Sequence, residues 1–114
     1  MVDQPNDGAP EWHALIAALG DLSDLSKGDV ELLVMLAEEA SEIIKCAMKC
    51  IRAGYEFRPY DGPVSNRDKL EQELSDLYAV VHILQDKGHL GRITVSANDI
   101  ARRLRYTRHQ GYEV

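Results

Sequence analysis

The chain lacks any long hydrophobic run. A stretch such as Leu32 to Ala37 is the best it offers, far short of the roughly 20 apolar residues that cross a bilayer as a helix. It also lacks an excess of basic charge. Thirteen Lys and Arg stand against nineteen Asp and Glu, for a net charge of −6. Nothing global therefore favours nucleic acid or an anionic membrane. Met1 to Glu11 is polar and acidic, without the apolar centre of a signal peptide, so a cytoplasmic protein is the expectation. Cysteine is scarce. Cys46 and Cys50 lie four residues apart, on one helical face but too distant for an unstrained disulfide. No further Cys or clustered His completes a metal site with them, so they read as small core residues. Aromatics are 6%, with one Trp and one Phe. A stacking platform for a base is thus poorly marked. Trp12, His13 and Tyr78 are the candidates, and Trp12 reads more readily as core.

What is present is helical periodicity with clear punctuation. At 114 residues the chain is one domain, 1–114, able to bury roughly 60% of its unfolded surface. Hydrophobic residues are 45% and charged ones 28%, ordinary for a globular protein. A short helix is expected from Pro10 to Leu19, stopped at Gly20. Ser26-x-x-Asp29 resembles a capping signal for a helix of about 27–53, ended by Gly54. The segment Gly54 to Ser65, with Pro59, Gly62 and Pro63, is a true break. Ser65 or Asn66 caps a second long helix to about Lys87, before Gly88. After a connector to Val95, Ser96-x-x-Asp99 opens a last helix that Gly111 closes. The fold class is all-α: a small bundle of two long and two shorter helices. The apolar arc of the first long helix covers over half its circumference, wider than a surface helix needs. The surplus is expected to pack on a second copy, giving a homo-oligomer, dimer or tetramer.

Two carboxylate blocks interrupt this pattern. Glu38-Glu39-Ala40-Ser41-Glu42 lies within the first long helix and Glu73-Leu74-Ser75-Asp76 within the second. Glu39 with Glu42, and Glu73 with Asp76, are three apart and so share a face. On a wheel of about 100° per residue, Glu39 falls between Cys46 and Cys50, inside the apolar arc, and Glu42 at its edge. Glu73 falls between Val80 and Leu84, Asp76 between Ile83 and Val80. Glu38 points away. Acids in an apolar stripe lose hydration and repel one another, so they need partners. Their oxygens suit a hard cation, Mg²⁺ or Mn²⁺. His82 and His89 lack the Glu-x-x-His spacing of di-iron bundles.

Glu38-Glu39-x-x-Glu42 followed by Glu73-x-x-Asp76 on the next helix resembles the motif of MazG-like nucleotide pyrophosphohydrolases, of the all-α NTP pyrophosphatase superfamily. Leu36-Ala37 before the first block and Leu77-Tyr78-Ala79-Val80-Val81 after the second resemble its flanks. The resemblance spans about Leu32 to Leu84. It implies Mg²⁺-dependent hydrolysis of a nucleoside triphosphate to a monophosphate and pyrophosphate. Glu39, Glu42, Glu73 and Asp76 would be the metal ligands, and Glu38 a candidate for orienting the attacking water or supporting a ligand. Lys69 resembles a family position that contacts phosphate. Asn98 fits a family Asn-x-Lys, but Ile100 stands at the Lys position, and Arg102 or Arg103 of the basic last helix is expected to substitute there. The Gly54–Ser65 loop, longer than in compact members, is either a lid over the nucleotide or a surface loop.

The leading expectation is thus a (d)NTP pyrophosphohydrolase. A second keeps the fold and takes a phosphoribosyl-ATP-type or pyrimidine nucleotide. A third is a non-catalytic helical module whose acids bind Mg²⁺ or a basic protein. Binding to DNA would rest on the arginine-bearing helix alone, against the net charge.

Overall fold

Three Ser-x-x-Asp sequences each start a helix among the described residues. In the computed structural model, which describes residues 24–111 together with Ala14, Ile16 and Ala18, these helices are α1 (Lys27–Ala53), α2 (Asn66–Asp86) and α3 (Ala97–Leu104). Ser26, Ser65 and Ser96 each accept a hydrogen bond from the amide of the Asp three residues on. Asp29, Asp68 and Asp99 each accept one from the serine amide in return. Two of the free amides at each helix start are satisfied in this reciprocal way. The serine amide bond is also the main cause that lowers the pKa of each of these three aspartates. Ser65, not Asn66, is the cap of α2. The helix expected from Pro10 to Leu19 falls mostly outside the described residues, as do Trp12 and His13; Ala14, Ile16 and Ala18 within it are helical.

The helix ends follow glycine chemistry at two of three places. Gly54 takes a φ of 96° and its amide donates to the Cys50 carbonyl at 2.8 Å. Gly88 follows α2 with a φ of 79°. Such angles cost an L side chain but not glycine. The last helix differs from expectation: it closes at Leu104, well before Gly111. The amides of Tyr106 and Thr107 turn back to the carbonyls three residues earlier, and the Thr107 hydroxyl donates to the Leu104 carbonyl at 2.6 Å. A side-chain bond to a terminal carbonyl replaces the next helical turn.

The two long helices form an antiparallel hairpin, and their packing is the main tertiary contact among the described residues. Spacings of four and three define the seams. On α1 the seam is Leu32, Leu36, Glu39, Ile43, Cys46 and Cys50; on α2 it is Asn66, Leu70, Glu73, Leu77, Val80 and Leu84. Every one of these is buried or half-buried. This alternation keeps a straight stripe turned to one neighbour. Leu32 and Leu36 pack against Val80 and Leu84 at one end. At the other end the Asn66 side-chain amide donates to the carbonyls of Lys49, at 3.3 Å, and Gly54, at 3.0 Å.

The adjacent seam of α1, Leu33, Ala37, Ala40, Ile44, Ala47 and Ile51, is mostly bare. Ile44 is 64% exposed and Ile51 76%. The wide arc read from the sequence is therefore two seams side by side. The hairpin buries only the one that carries Glu39.

Candidate functional site

Halfway along the hairpin the two seams present acids instead of aliphatics. Glu39 descends from α1, and Glu73 and Asp76 rise from consecutive turns of α2. Each of the three contributes a carboxylate oxygen within 4.8 Å of the others. Glu73 is 6% exposed; Glu39 and Asp76 are half-buried. This placement follows from the sequence pattern, since all three occupy or border positions of the buried stripe.

The electrostatics record the crowding. Burial is the main cause that raises the Glu39 pKa, and the charges of Asp76, Glu73 and Glu38 push it further up, together with a hydrogen bond to Glu73. Charged carboxylates this close favour a proton or a cation between them. Lys69, one turn before Glu73, places its ammonium nitrogen 2.8 Å from the Glu73 carboxylate. The Gln72 amide donates to Asp76 at 2.9 Å. Cys46 lies beside the cluster, buried. Burial raises its thiol pKa; Glu73 adds to that rise, while Lys69 and Lys49 oppose it. That thiol is a packed side chain, away from the low pKa that marks a reactive cysteine.

Of the expected ligands, three converge. Glu42 lies one turn beyond Glu39, half-buried, and pairs with Lys45 at 3.3 Å outside the group of three. Glu38 is half-buried, and its carbonyl accepts from the Ser41 hydroxyl. Lys69 stands at the acids. Asn98, Arg102 and Arg103 do not. They belong to α3, whose packing on either long helix is slight, and Arg102 is paired with Asp99 of its own helix at 3.1 Å. The sequence offered no reason for that separation, because the connector is held by a contact distant in sequence, His89 to Asp29 at 3.3 Å, that no local spacing marks.

Two participants were not legible in the sequence. Asn66 is 5% exposed and ties the end of α1 to the start of α2; a seam position three and four residues from its apolar neighbours was the available signal. Lys49 lines a depression that extends along the surface to Lys69, and only the hairpin register reveals that.

As for chemistry, the three carboxylates are hard oxygen donors on rigid elements, at a separation compatible with one shared ion. They fit Mg²⁺ or Mn²⁺ better than a soft metal. No protein family, curated protein or solved structure matches the chain.

Proposed function

We propose that the chain is a Mg²⁺-dependent nucleotide pyrophosphohydrolase of the MazG-like kind, converting a (d)NTP and water to (d)NMP and pyrophosphate. The observation that carries this reading is the meeting of Glu39, Glu73 and Asp76 within 4.8 Å in a partly buried seam. Glu39, Glu73 and Asp76 would hold the ion, and Glu42, one turn on, would join when its pairing with Lys45 is released. Mg²⁺ or Mn²⁺ there would supply Lewis-acid charge neutralisation to the phosphate chain. Mn²⁺ serves equally on donor chemistry.

The residues of the chain have separate tasks in this reading. Lys69 offsets phosphate charge from the lip of the acid cluster. Glu38 orients water. Water adds to the α-phosphorus and releases its proton to solvent, the bond from the α-phosphorus to the bridging oxygen breaks, and pyrophosphate leaves with that bond's electron pair. Asn98, Arg102 and Arg103 would reach the substrate only from a neighbouring subunit or after α3 moves. The bare second seam of α1 supports a homo-oligomer, dimer or tetramer. The ion pair from Lys69 to Glu73 favours a second reading, in which the acids are neutralised within the protein and the hairpin is a non-catalytic interaction module. Pyrophosphate release from a panel of nucleotides with Mg²⁺ or Mn²⁺ separates the two. Release with at least one nucleotide supports hydrolysis; none with any would leave the module.

A further inference from the structure

Beyond the acids, the loop of residues 54–65 is fastened down and shapes a cleft. The Asn66 and Arg67 amides donate to the carbonyls of Phe57 and Tyr55, each at 2.8 Å. The Arg67 guanidinium pairs with Glu56 and lies 4.7 Å from the centre of the Tyr55 ring. Within this frame Tyr60 and Asp61 take φ values of 58° and 54°, a left-handed conformation unfavourable for a bulky residue. The loop is thus a fixed wall.

Between this wall and the end of α1 lies an open cleft of about 340 Å³, lined by Lys49, Arg52, Phe57, Pro59 and Tyr60, with Asn66 at its base. A second depression of about 270 Å³ shares Lys49, Pro59 and Asn66 with it and extends to Lys69. Lys69 in turn touches Glu73. Along one surface, therefore, the order is aromatic rings, then cations, then carboxylates. From Asn66 to Glu73 the rise along α2 is roughly 10 Å, within the reach of an extended nucleotide. Among the described residues, neither Lys49 nor Arg52 has an ion-pair partner, unlike Lys69. Phe57 is half exposed and Tyr60 wholly so. The volume lies in the range of small-ligand sites.

We infer that this cleft holds the nucleoside end of the substrate: the base against Phe57 and Tyr60, the sugar and first phosphate beside Arg52 and Lys49, and the phosphate chain running past Lys69 to the acids. This rests on the proposed function for the phosphate end, while the cleft itself is independent of turnover. The chemical class is a nucleoside 5′-phosphate, whose flat apolar end and anionic end match the two ends of the surface. Aromatic rings accept any base by its face, so the cleft selects nucleotide over bare polyphosphate.

The test compares binding of α,β-imido nucleoside triphosphates and of inorganic tripolyphosphate, both with Mg²⁺, by calorimetry. The wild-type protein should bind at least one nucleotide more tightly than tripolyphosphate. Phe57→Ala and Tyr60→Ala should each weaken that nucleotide by roughly 5- to 100-fold, as expected for a lost stacking partner, and leave tripolyphosphate unchanged. The unchanged tripolyphosphate affinity also reports that the variants are folded. Lys49→Ala should weaken both. Equal affinity of the wild type for the two probes, or variants that affect both probes alike or neither, would overturn the inference. The proposed function fails separately. If no nucleotide turns over, yet a nucleoside monophosphate binds without Mg²⁺ and loses affinity in Phe57→Ala, the cleft stands and the hydrolase does not.

Discussion

Lys69 lies one helical turn before Glu73, and its ammonium nitrogen stands 2.8 Å from the carboxylate of this most buried acid of the hairpin. The lysine is itself half exposed. It can therefore leave without a large packing loss, whereas Glu73 cannot be left alone, because a buried charge without a partner is costly. The contact raises the Lys69 pKa, mainly through the hydrogen bond to Glu73 and then through its charge. Lys69 and a divalent ion would compete for one carboxylate. A lysine displaced by the ion would be free to meet phosphate in the neighbouring depression.

Competition gives the first expected outcome. Lys69→Met should lower the stability of the metal-free protein by about 1–3 kcal/mol, the cost of an unpaired buried acceptor. It should also enlarge the rise in Tm produced by Mg²⁺, since the competitor is gone. Thermal melts across a Mg²⁺ titration measure both. A smaller Mg²⁺ effect in the variant would remove the competition argument.

Glu39 gives the second. Its pKa is raised from the usual 4.5 by burial and by the neighbouring acids. A carboxyl that holds its proton more firmly when folded than when unfolded makes the folded state bind more protons. Its contribution to stability is then present below about 4.5 and is lost as pH rises through the folded value. Glu39→Gln should therefore flatten the pH dependence of the metal-free Tm above pH 4.5, keep or raise Tm at neutral pH, and abolish stabilisation by Mg²⁺. Melts from pH 5 to 8 with and without Mg²⁺ show this. Asp29, Asp68 and Asp99 act with the opposite sign. Their lowered pKa values lend stability that is present above the usual 3.8 and lost as pH falls through their folded values.

Asn66 is the third. Its side-chain amide bridges Lys49 and Gly54 at the loop end of the hairpin, while its neighbour Ser65, 3% exposed, caps α2. Asn66→Ala removes two hydrogen bonds and leaves carbonyls to find water, at about 1–3 kcal/mol. Ser65→Ala should cost about 1 kcal/mol, the usual value for a lost cap. Denaturant unfolding of both variants ranks them, and Asn66→Ala should be the more damaging.

Such features show how much the chain disclosed. The helices were legible because their boundaries are local: Ser26, Ser96, Gly54 and Gly88 determine them within a few bonds. The acids were legible because Glu39 and Glu73 occupy stripe positions where charge is out of place. Glu42 was expected beside them. It sits at the edge of that stripe, where Lys45, three residues away and on the same exposed flank, reaches it more easily than the second helix does. The end of α3 lies short of the Gly111 that composition points to, since Thr107 ends the helix with a side-chain bond that no composition rule marks. The wide apolar arc could not be divided into two seams before the partner helix was located, because both seams have the same spacing and differ by one residue.

That second seam leads to the fourth expected outcome. Leu33, Ile44 and Ile51 lie on one line along α1 and face solvent in the single chain, next to the seam that α2 covers. Aliphatic side chains at spacings of four and three form the pattern that another helix fills with knobs into holes. An exposed apolar strip of this length is uncommon on a monomer. A homo-oligomer would cover it. Ile44→Glu places a charge in the middle of the strip without touching the Glu39 seam. Sedimentation of the wild-type protein at micromolar concentration should give a dimer or tetramer, and the variant a monomer that retains its helical content. If the wild type is a stable monomer, the homo-oligomer is ruled out, and the arginines of α3 reach the substrate only if α3 moves. If Ile44→Glu remains assembled, the contact lies elsewhere on the subunit. If the variant dissociates and also loses phosphate affinity while Glu39, Glu73 and Asp76 are intact, the cations that complete the site come from the neighbouring copy.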